Sequence, residues 1–179
     1  WSPEDTPPED VIVLLRRSGE DLCDPLPPQA RVGEGRVAAA AAREVREFFS
    51  DSQGPATVRC LRLVVPESKA AALGEARLRI YWDGAALPSV DAPVKLLFGT
   101  GSLYNRDGRE YLVKAFPATV RFKDGEVAFS LYFPMPFMRT ARMELVAGAP
   151  LPEARYRIVL QPYTDPPNWV GQFHATYVD

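Results

Sequence analysis

The sequence has little of what builds metal, redox and nucleotide sites. It contains one histidine and two cysteines among 179 residues, too few for a histidine-based metal cluster or a disulfide framework. It also has no glycine-rich phosphate loop and no Gly-x-Ser-x-Gly nucleophile elbow. We therefore predict no metal and no cofactor, and nothing in the sequence marks a nucleotide-dependent enzyme or a serine hydrolase.

Long apolar runs and an excess of basic charge are missing as well. No apolar stretch approaches the roughly 18 residues that a membrane helix needs. The net charge is −2 and the isoelectric point about 5.6, whereas a nucleic-acid-binding protein would carry a basic stripe. The sequence predicts neither a membrane span nor a nucleic-acid partner.

The two cysteines, Cys23 and Cys60, match no metal or redox spacing. Two interpretations stay open: a single disulfide if the protein is secreted, or two separate buried or free thiols. The chain starts at Trp1 rather than Met. We interpret this as a processed product or an excised domain, which leaves an extracellular or periplasmic location open.

Proline is the residue in excess. The 18 prolines amount to about 10% of the chain, roughly double average usage, and proline interrupts helices and central strands. The chain is long enough for one domain with its own core. We predict an extended Pro-rich arm plus a first strand, Val11–Leu15, over residues 1–30, and a single domain over 31–179.

Short alternating segments separated by turn signals follow the arm. In Leu78–Trp82 every second side chain shares a face, so Leu78, Ile80 and Trp82 are predicted to point into a core. The dipeptide Asp124-Gly125 between two such segments predicts a β-hairpin. The other strand-like segments are 58–65, 142–146, 156–160 and 169–178. We predict about eight strands in an all-β antiparallel sandwich of jelly-roll type.

The segment Val37–Phe49 is ambiguous from its residues alone. Its alanine run and the pair Arg43 and Glu47 favour a helix. However, Gly33 and Gly35 precede it and it has no good helix-capping residue.

Three motifs together identify a family. They are Leu-Arg-Ile-Tyr-Trp-Asp-Gly at 78–84 with Leu-Pro-Ser-Val at 87–90, Leu-Phe-Gly at 97–99, and Tyr-Phe-Pro-Met-Pro-Phe at 132–137 with Ala-Arg-Met-Glu-Leu at 141–145. This set resembles the first jelly roll of the proteins once called domain of unknown function 2961, now glycoside hydrolase family 172. The resemblance covers roughly Gly54 to Ala175.

The resemblance implies two jelly rolls in tandem, assembly into trimers or larger oligomers, a capsid-like fold, and retaining cleavage of fructofuranosides or arabinofuranosides. It also favours extended structure over a helix in Val37–Phe49. The family's two catalytic glutamates lie in its second jelly roll, in Glu-Gly-Asp-Glu and Gly-Thr-Gly-Thr-Glu-Asp contexts. Neither motif occurs in this chain, so we assign no catalytic residue.

A retaining glycosidase needs two carboxylates about 5 Å apart, and three carboxylates lie within or beside the motifs. Asp83 is interpreted as a turn residue before Gly84, and Asp91 as part of a proline-bounded loop. Glu144 is expected to point outward from its strand, opposite Met143 and Leu145.

Aromatic and apolar side chains give the remaining candidates. Trp169, Tyr104 and Tyr163 are candidate sugar-binding residues, because an aromatic ring offers both an apolar face and a polar edge. A group consisting of Phe133, Met135 and Phe137 suits either a subunit contact or the core.

Three functions stay open. The first is a noncatalytic single jelly-roll module that assembles with itself as a scaffold. The second is the front half of a retaining furanosidase whose catalytic second jelly roll is absent or on another chain. The third is a carbohydrate-binding module.

Overall fold

The computed structural model describes residues 6–178, and within them the chain is mostly β-structure. The helices are α1 (Glu9–Arg16), α2 (Ala70–Gly74) and α3 (Val94–Leu97). The strands are β1 (Arg31–Val37), β2 (Val45–Asp51), β3 (Ala56–Pro66), β4 (Arg77–Trp82), β5 (Val90–Pro93), β6 (Tyr111–Lys114), β7 (Ala118–Lys123), β8 (Glu126–Leu131), β9 (Met135–Phe137), β10 (Ala141–Val146), β11 (Ala154–Pro162) and β12 (Ala175–Thr176). Short 3₁₀ turns lie at Glu67–Lys69 and Pro167–Trp169.

The strands form two sheets that pack as a sandwich. The seven-stranded sheet has the order β1-β11-β3-β8-β7-β6, with β9 paired to β3, and the five-stranded sheet has the order β12-β5-β4-β10-β2. Eight of these strands, in the orders β1-β11-β3-β8 and β2-β10-β4-β5, make two facing four-stranded sheets with jelly-roll connections. The predicted antiparallel sandwich is confirmed, and β6, β7, β9 and β12 extend it beyond the predicted eight strands.

The core lies between the two sheets. Leu78, Ile80 and Trp82 of β4 are 0 to 1% exposed, as their alternation predicts. The indole N–H of Trp82 donates a hydrogen bond to the Phe173 carbonyl at 3.0 Å. The hairpin of β7 and β8 forms with both Asp124 and Gly125 at positive φ, 53° and 75°, which is the geometry of a type I′ turn.

The predicted first strand is wrong, because Val11–Leu15 lies in helix α1. The carbonyl of Pro8 accepts hydrogen bonds from the N–H groups of Val11 and Ile12, which starts the helix. Acidic residues occupy its first turn and Arg16 its last turn, so the charges suit the helix dipole. No neighbouring strand pairs with the segment within residues 6–178, and local helical hydrogen bonds then outweigh β-branched composition.

Val37–Phe49 has no helix, as the family resemblance implies. Strand β1 ends at Val37 and β2 begins at Val45, with a loop between them. Strand β2 pairs with β10 along its whole length, and Phe48 and Phe49 are both only 8% exposed. Tertiary pairing therefore overrides the helix propensity of this stretch.

The two ends of the chain are only partly strands. Residues 1–5 of the predicted arm lie outside the described residues, and residues 17–30 dock on the chain's own sheet. Of the predicted strand 169–178, only Ala175–Thr176 pairs, parallel to β5. None of the helices in the described residues is long and apolar enough to cross a membrane.

Candidate functional site

A charged row crosses the outer face of the five-stranded sheet. Asp91 on β5 lies opposite Arg79 on β4, and Arg79 lies opposite Glu144 on β10. The Asp91 carboxylate accepts hydrogen bonds from Arg77 at 2.7 Å and from Arg79 at 3.1 Å. Both of its oxygens are therefore bound to guanidinium groups.

Glu144 lies on the outer face as predicted, yet it is only 5% exposed. The Tyr81 hydroxyl donates a hydrogen bond to one carboxylate oxygen at 2.8 Å, and Arg142 donates to the other at 2.6 Å. The Arg142 guanidinium lies 3.8 Å from the centre of the Tyr81 ring. Burial and the hydrogen bond to Glu144 raise the pKa of Tyr81, so this phenol stays protonated as a donor.

Asp83 closes the turn after β4 in a left-handed conformation, with φ of 56°. Its carboxylate accepts hydrogen bonds from the backbone N–H groups of Met138, Arg139 and Thr140 at 2.6 to 3.1 Å, and from the Gln172 side chain at 2.8 Å. Burial alone would raise the pKa of Asp83, but these donors outweigh burial and lower the pKa. Asp83 thus joins three separate parts of the chain.

These environments decide what the three carboxylates can do. Asp91 and Glu144 are two strands apart, roughly 10 Å between their backbones, and each is bonded to arginine. A glycosidase acid must hold a proton near neutral pH, which requires a raised pKa. The pKa of Asp83 is lowered instead, and the carboxylate oxygens of Asp91 and Glu144 are all occupied by structural hydrogen bonds, so the three carboxylates form no acid–nucleophile pair.

A groove of about 460 Å³ lies beside the end of β11. It is lined by Tyr163 and by Pro134 and Pro136 of the motif at 132–137, and its polar lining includes Arg59 and Gln161. Within residues 6–178 no carboxylate forms an ion pair with Arg59. The groove therefore combines an aromatic ring with hydrogen-bonding groups, which is the chemistry that a sugar needs.

The structure brings two of the three candidate sugar-binding residues together. The Tyr163 hydroxyl and the backbone N–H of Trp169 both donate to the Pro166 carbonyl, at 3.1 and 3.0 Å, and Trp169 is 73% exposed. Tyr104 is 76% exposed and lies in the loop between α3 and β6. Its neighbour Leu103 packs against Gly74, so Tyr104 belongs to another part of the surface.

The apolar group at 133–137 divides between core and surface. Met135 and Phe137 are fully buried in the core, because β9 pairs with β3 and turns both side chains inward. Both side chains therefore belong to the core of this chain. Phe133 is 39% exposed and stacks on Phe173 with a ring separation of 5.4 Å, and its contact with a partner stays a prediction.

A polar cluster on the outer face of the seven-stranded sheet was not predicted. Arg62 on β3 donates to Ser130 at 3.0 Å and to the Tyr132 hydroxyl at 2.9 Å, and it pairs with Asp21 at 2.8 Å. Burial raises the pKa of Tyr132 to about 12. The one feature of the sequence that could have indicated this cluster is an arginine within an apolar strand. The sequence does not show which residues that arginine contacts.

A family profile described as GH172 domain-like matches residues 34–150. The chain belongs to this family. The resemblance predicted from the three motifs is confirmed, and it relates the chain to glycoside hydrolases. The match begins within β1 and ends after β10, so the GH172 region contains Asp83, Asp91, Glu144 and Phe133. No curated protein matches the chain.

The segment that carries Asp21 and Cys23 lies outside the matched GH172 region, and the groove at Tyr163 straddles its boundary, because Arg59, Pro134 and Pro136 lie within the match and Gln161 and Tyr163 lie beyond it. Phe173 to Ala175, which the resemblance had included, also lie outside it. Within residues 6–178 no three histidine, cysteine or acidic side chains come together as a metal site. The candidate sites of the chain are thus the outer face of the GH172 sandwich and the groove beside it.

Proposed function

We propose that this chain is a noncatalytic jelly-roll module of the GH172 type that associates with further copies of itself as a structural unit. The observation that carries the proposal is the exposed apolar surface of α1. Val11 and Leu15, which share one face of the helix at a spacing of four residues, are 40% and 61% exposed, and an apolar helix face of this kind favours a covering partner.

A second copy of α1 fits that surface by its charges. Glu9 and Asp10 lie in the first turn of the helix and Arg16 in its last turn. When two such helices pack antiparallel about a two-fold axis, the acidic end of each faces the basic end of the other. The same arrangement buries Val11 and Leu15 of both helices at the centre.

The test is the mass of the full chain in solution, measured by light scattering over a concentration series. We expect a discrete multiple of 19.9 kDa, and its size distinguishes a dimer from the trimer or larger assembly that the family resemblance implies. Leu15→Glu should dissociate the oligomer, whereas Leu87→Glu, at a 79% exposed leucine in a distant turn, should not. A strict monomer at all concentrations would overturn the proposal.

Charge exchange tests the antiparallel arrangement itself. Glu9→Lys places like charges together across the two-fold axis and should weaken association. Adding Arg16→Glu in the same chain restores opposite charges and should recover it. Equal weakening by the single and the double change would contradict this contact.

The alternative is the front half of a retaining furanosidase. The carboxylates of Asp83, Asp91 and Glu144 are all engaged in structural bonds. This observation favours the furanosidase alternative, in which both catalytic carboxylates come from a second jelly roll. A reading frame that continues past Asp179 into Glu-Gly-Asp-Glu supports this alternative. A stop codon there, with no partner gene encoding that motif, opposes it.

A carbohydrate-binding role is favoured by the groove at Tyr163. We expect fructofuranosyl or arabinofuranosyl oligosaccharides to bind there, with the sugar stacked on the ring and bonded to Arg59 and Gln161. Titration calorimetry of Tyr163→Ala should show lost binding, while Tyr104→Ala, which removes an exposed tyrosine elsewhere, should bind as the parent does. No heat of binding for either sugar class would exclude this role.

A further inference from the structure

The two cysteines of the chain meet on the outer face of the seven-stranded sheet. Cys23 lies in the segment 17–30 between α1 and β1, and Cys60 lies in β3. Both are free thiols, 5% and 1% exposed, and they share a small buried cluster with Tyr132 and Val159. Cys23 and Cys60 are thus neighbours in one buried cluster, although they are 37 residues apart in the sequence.

The segment that carries Cys23 is held in place by other bonds. The Gly19 carbonyl accepts a hydrogen bond from the Tyr111 hydroxyl at 3.0 Å. The Asp21 carboxylate pairs with Arg62 at 2.8 Å and accepts the backbone N–H of Cys23 at 3.0 Å. These bonds hold the segment against the sheet, so Cys23 stays next to β3 before any bond forms between the sulfurs, and only the segment has to open for a small disulfide to reach Cys23.

We infer that Cys23 and Cys60 form a disulfide that locks residues 17–30 onto the seven-stranded sheet when the protein meets a low-molecular-weight disulfide such as oxidised glutathione. The inference is independent of the proposed function. It also decides between the two interpretations of the cysteines that the sequence left open.

The reaction is a pair of thiol–disulfide exchanges. The Cys23 thiolate attacks one sulfur of the small disulfide, breaks its S–S bond and releases one thiolate, which takes up the Cys23 proton. Cys60 then attacks the Cys23 sulfur of the mixed disulfide, and the second small thiol leaves with the Cys60 proton. Two protein thiols are oxidised, and one small disulfide is reduced to two thiols.

The environments of the two sulfurs set the order of attack. The hydrogen bond from Cys60 lowers the pKa of Cys23 against the effect of burial, and Arg59 and Arg62 act in the same direction. The same hydrogen bond, together with burial, raises the pKa of Cys60. The thiolate is the reactive form, and Cys60 lies in a core strand at 1% exposure whereas Cys23 lies in the docked segment at 5%, so Cys23 is the first nucleophile and Cys60 the resolving thiol.

The test compares the reduced full chain with the chain incubated in oxidised glutathione. We expect a mass lower by two hydrogen atoms and a Cys23–Cys60 cross-linked peptide in a nonreducing digest. The cross-link restricts the unfolded chain, so the Tm should rise by on the order of 10 °C and return after reduction. In Cys60→Ala the reaction should instead stop at the mixed disulfide between glutathione and Cys23.

Cys23→Ser is the control that leaves the core strand unchanged. This variant should gain neither the cross-link nor the rise in Tm. Two free thiols after prolonged incubation, detected by alkylation of the unfolded protein, would overturn the inference. Cross-links only between separate chains would overturn it as well.

Discussion

At the residue scale, the alternation of Leu78–Trp82 predicts which side chains enter the core, because a strand has a strict period of two. The same rule places Glu144 on the outer face. It does not predict that Glu144 is buried, since Tyr81 and Arg142 cover it only through the register of β4 against β10. A face can be predicted from local sequence, whereas a partner on a neighbouring strand cannot.

The partners of Asp83 could not be predicted from the local sequence either, and they give the first prediction. Asp83→Ala leaves three backbone N–H groups and the Gln172 amide without their acceptor. We expect the free energy of unfolding, measured by urea denaturation, to fall by about 2 to 3 kcal/mol. Asp124→Ala is the matched control, because Asp124 has the same left-handed conformation before a glycine. An equal loss in both variants would show that conformation, not hydrogen bonding, explains the effect.

The pH dependence of Asp83 follows from its lowered pKa. Its ordinary value is 3.8, and the folded value lies below that. The stabilisation is therefore complete above pH 3.8 and disappears as the pH falls through the folded pKa. The stability difference between the parent and Asp83→Asn should accordingly shrink in acid, and a difference that grows in acid would contradict the lowered pKa.

At the element scale, local propensity fails in both directions. Val11–Leu15 has the composition of a strand and forms α1, and Val37–Phe49 has the composition of a helix and contributes to β1 and β2. In each case the secondary structure that forms depends on whether a neighbouring strand pairs with the segment. The family motifs supplied that information for Val37–Phe49, and α1 lies outside the matched residues.

The contact between β1 and β2 gives the second prediction. A Cβ atom on Gly33 would lie 2.7 Å from Cε2 of Phe49, so Gly33→Ala forces the ring to move. We expect a loss of about 1 to 3 kcal/mol in the free energy of unfolding. Gly171→Ala, where a Cβ meets open space, should be close to neutral. A similar loss in both variants would show that the crowding at Phe49 is not the cause.

A double-mutant cycle isolates the steric term. Phe49→Leu removes the ring edge that the methyl group introduced by Gly33→Ala would meet, so the combined loss should be smaller than the sum of the single losses. Additive losses would show that the strain at Gly33 arises elsewhere.

At the scale of the whole molecule, the sequence predicts an extended Pro-rich arm and a first strand over residues 1–30, but it does not show what this stretch contacts. The structure docks residues 17–30 across the seven-stranded sheet. Asp21 and Arg62 are far apart in the sequence, and no motif joins them. The sandwich itself was predictable because turn signals and alternation recur along the chain, but this long-range attachment was not.

The third prediction concerns that attachment. Arg62→Met keeps the apolar stem and removes the ion pair with Asp21 and the donors to Ser130 and Tyr132. We expect residues 17–30 to undock while both sheets stay folded, since the core does not depend on Arg62. Limited proteolysis at Arg16 and Arg17 should accelerate by about tenfold, with amide exchange faster only in the segment and in the strand it covers.

The control and the pH dependence separate this effect from a general loss of charge. Arg157 lies opposite Arg62 on β11 and pairs with Glu34 at the surface, so Arg157→Met should leave the proteolysis rate unchanged. Burial would raise the pKa of Asp21, but Arg62, the backbone N–H of Cys23 and the Tyr132 hydroxyl together outweigh burial and lower the pKa below 3.8. The ion pair is therefore fully formed above that pH and is lost as the pH falls through the folded pKa. In the parent, cleavage of the segment by an acid-active protease should accelerate as the pH falls. In Arg62→Met the cleavage rate should not rise in this way. Cleavage of an unfolded substrate at each pH corrects for the intrinsic rate of the protease. Acid-sensitive cleavage that persists without Arg62 would mean that another contact holds the segment.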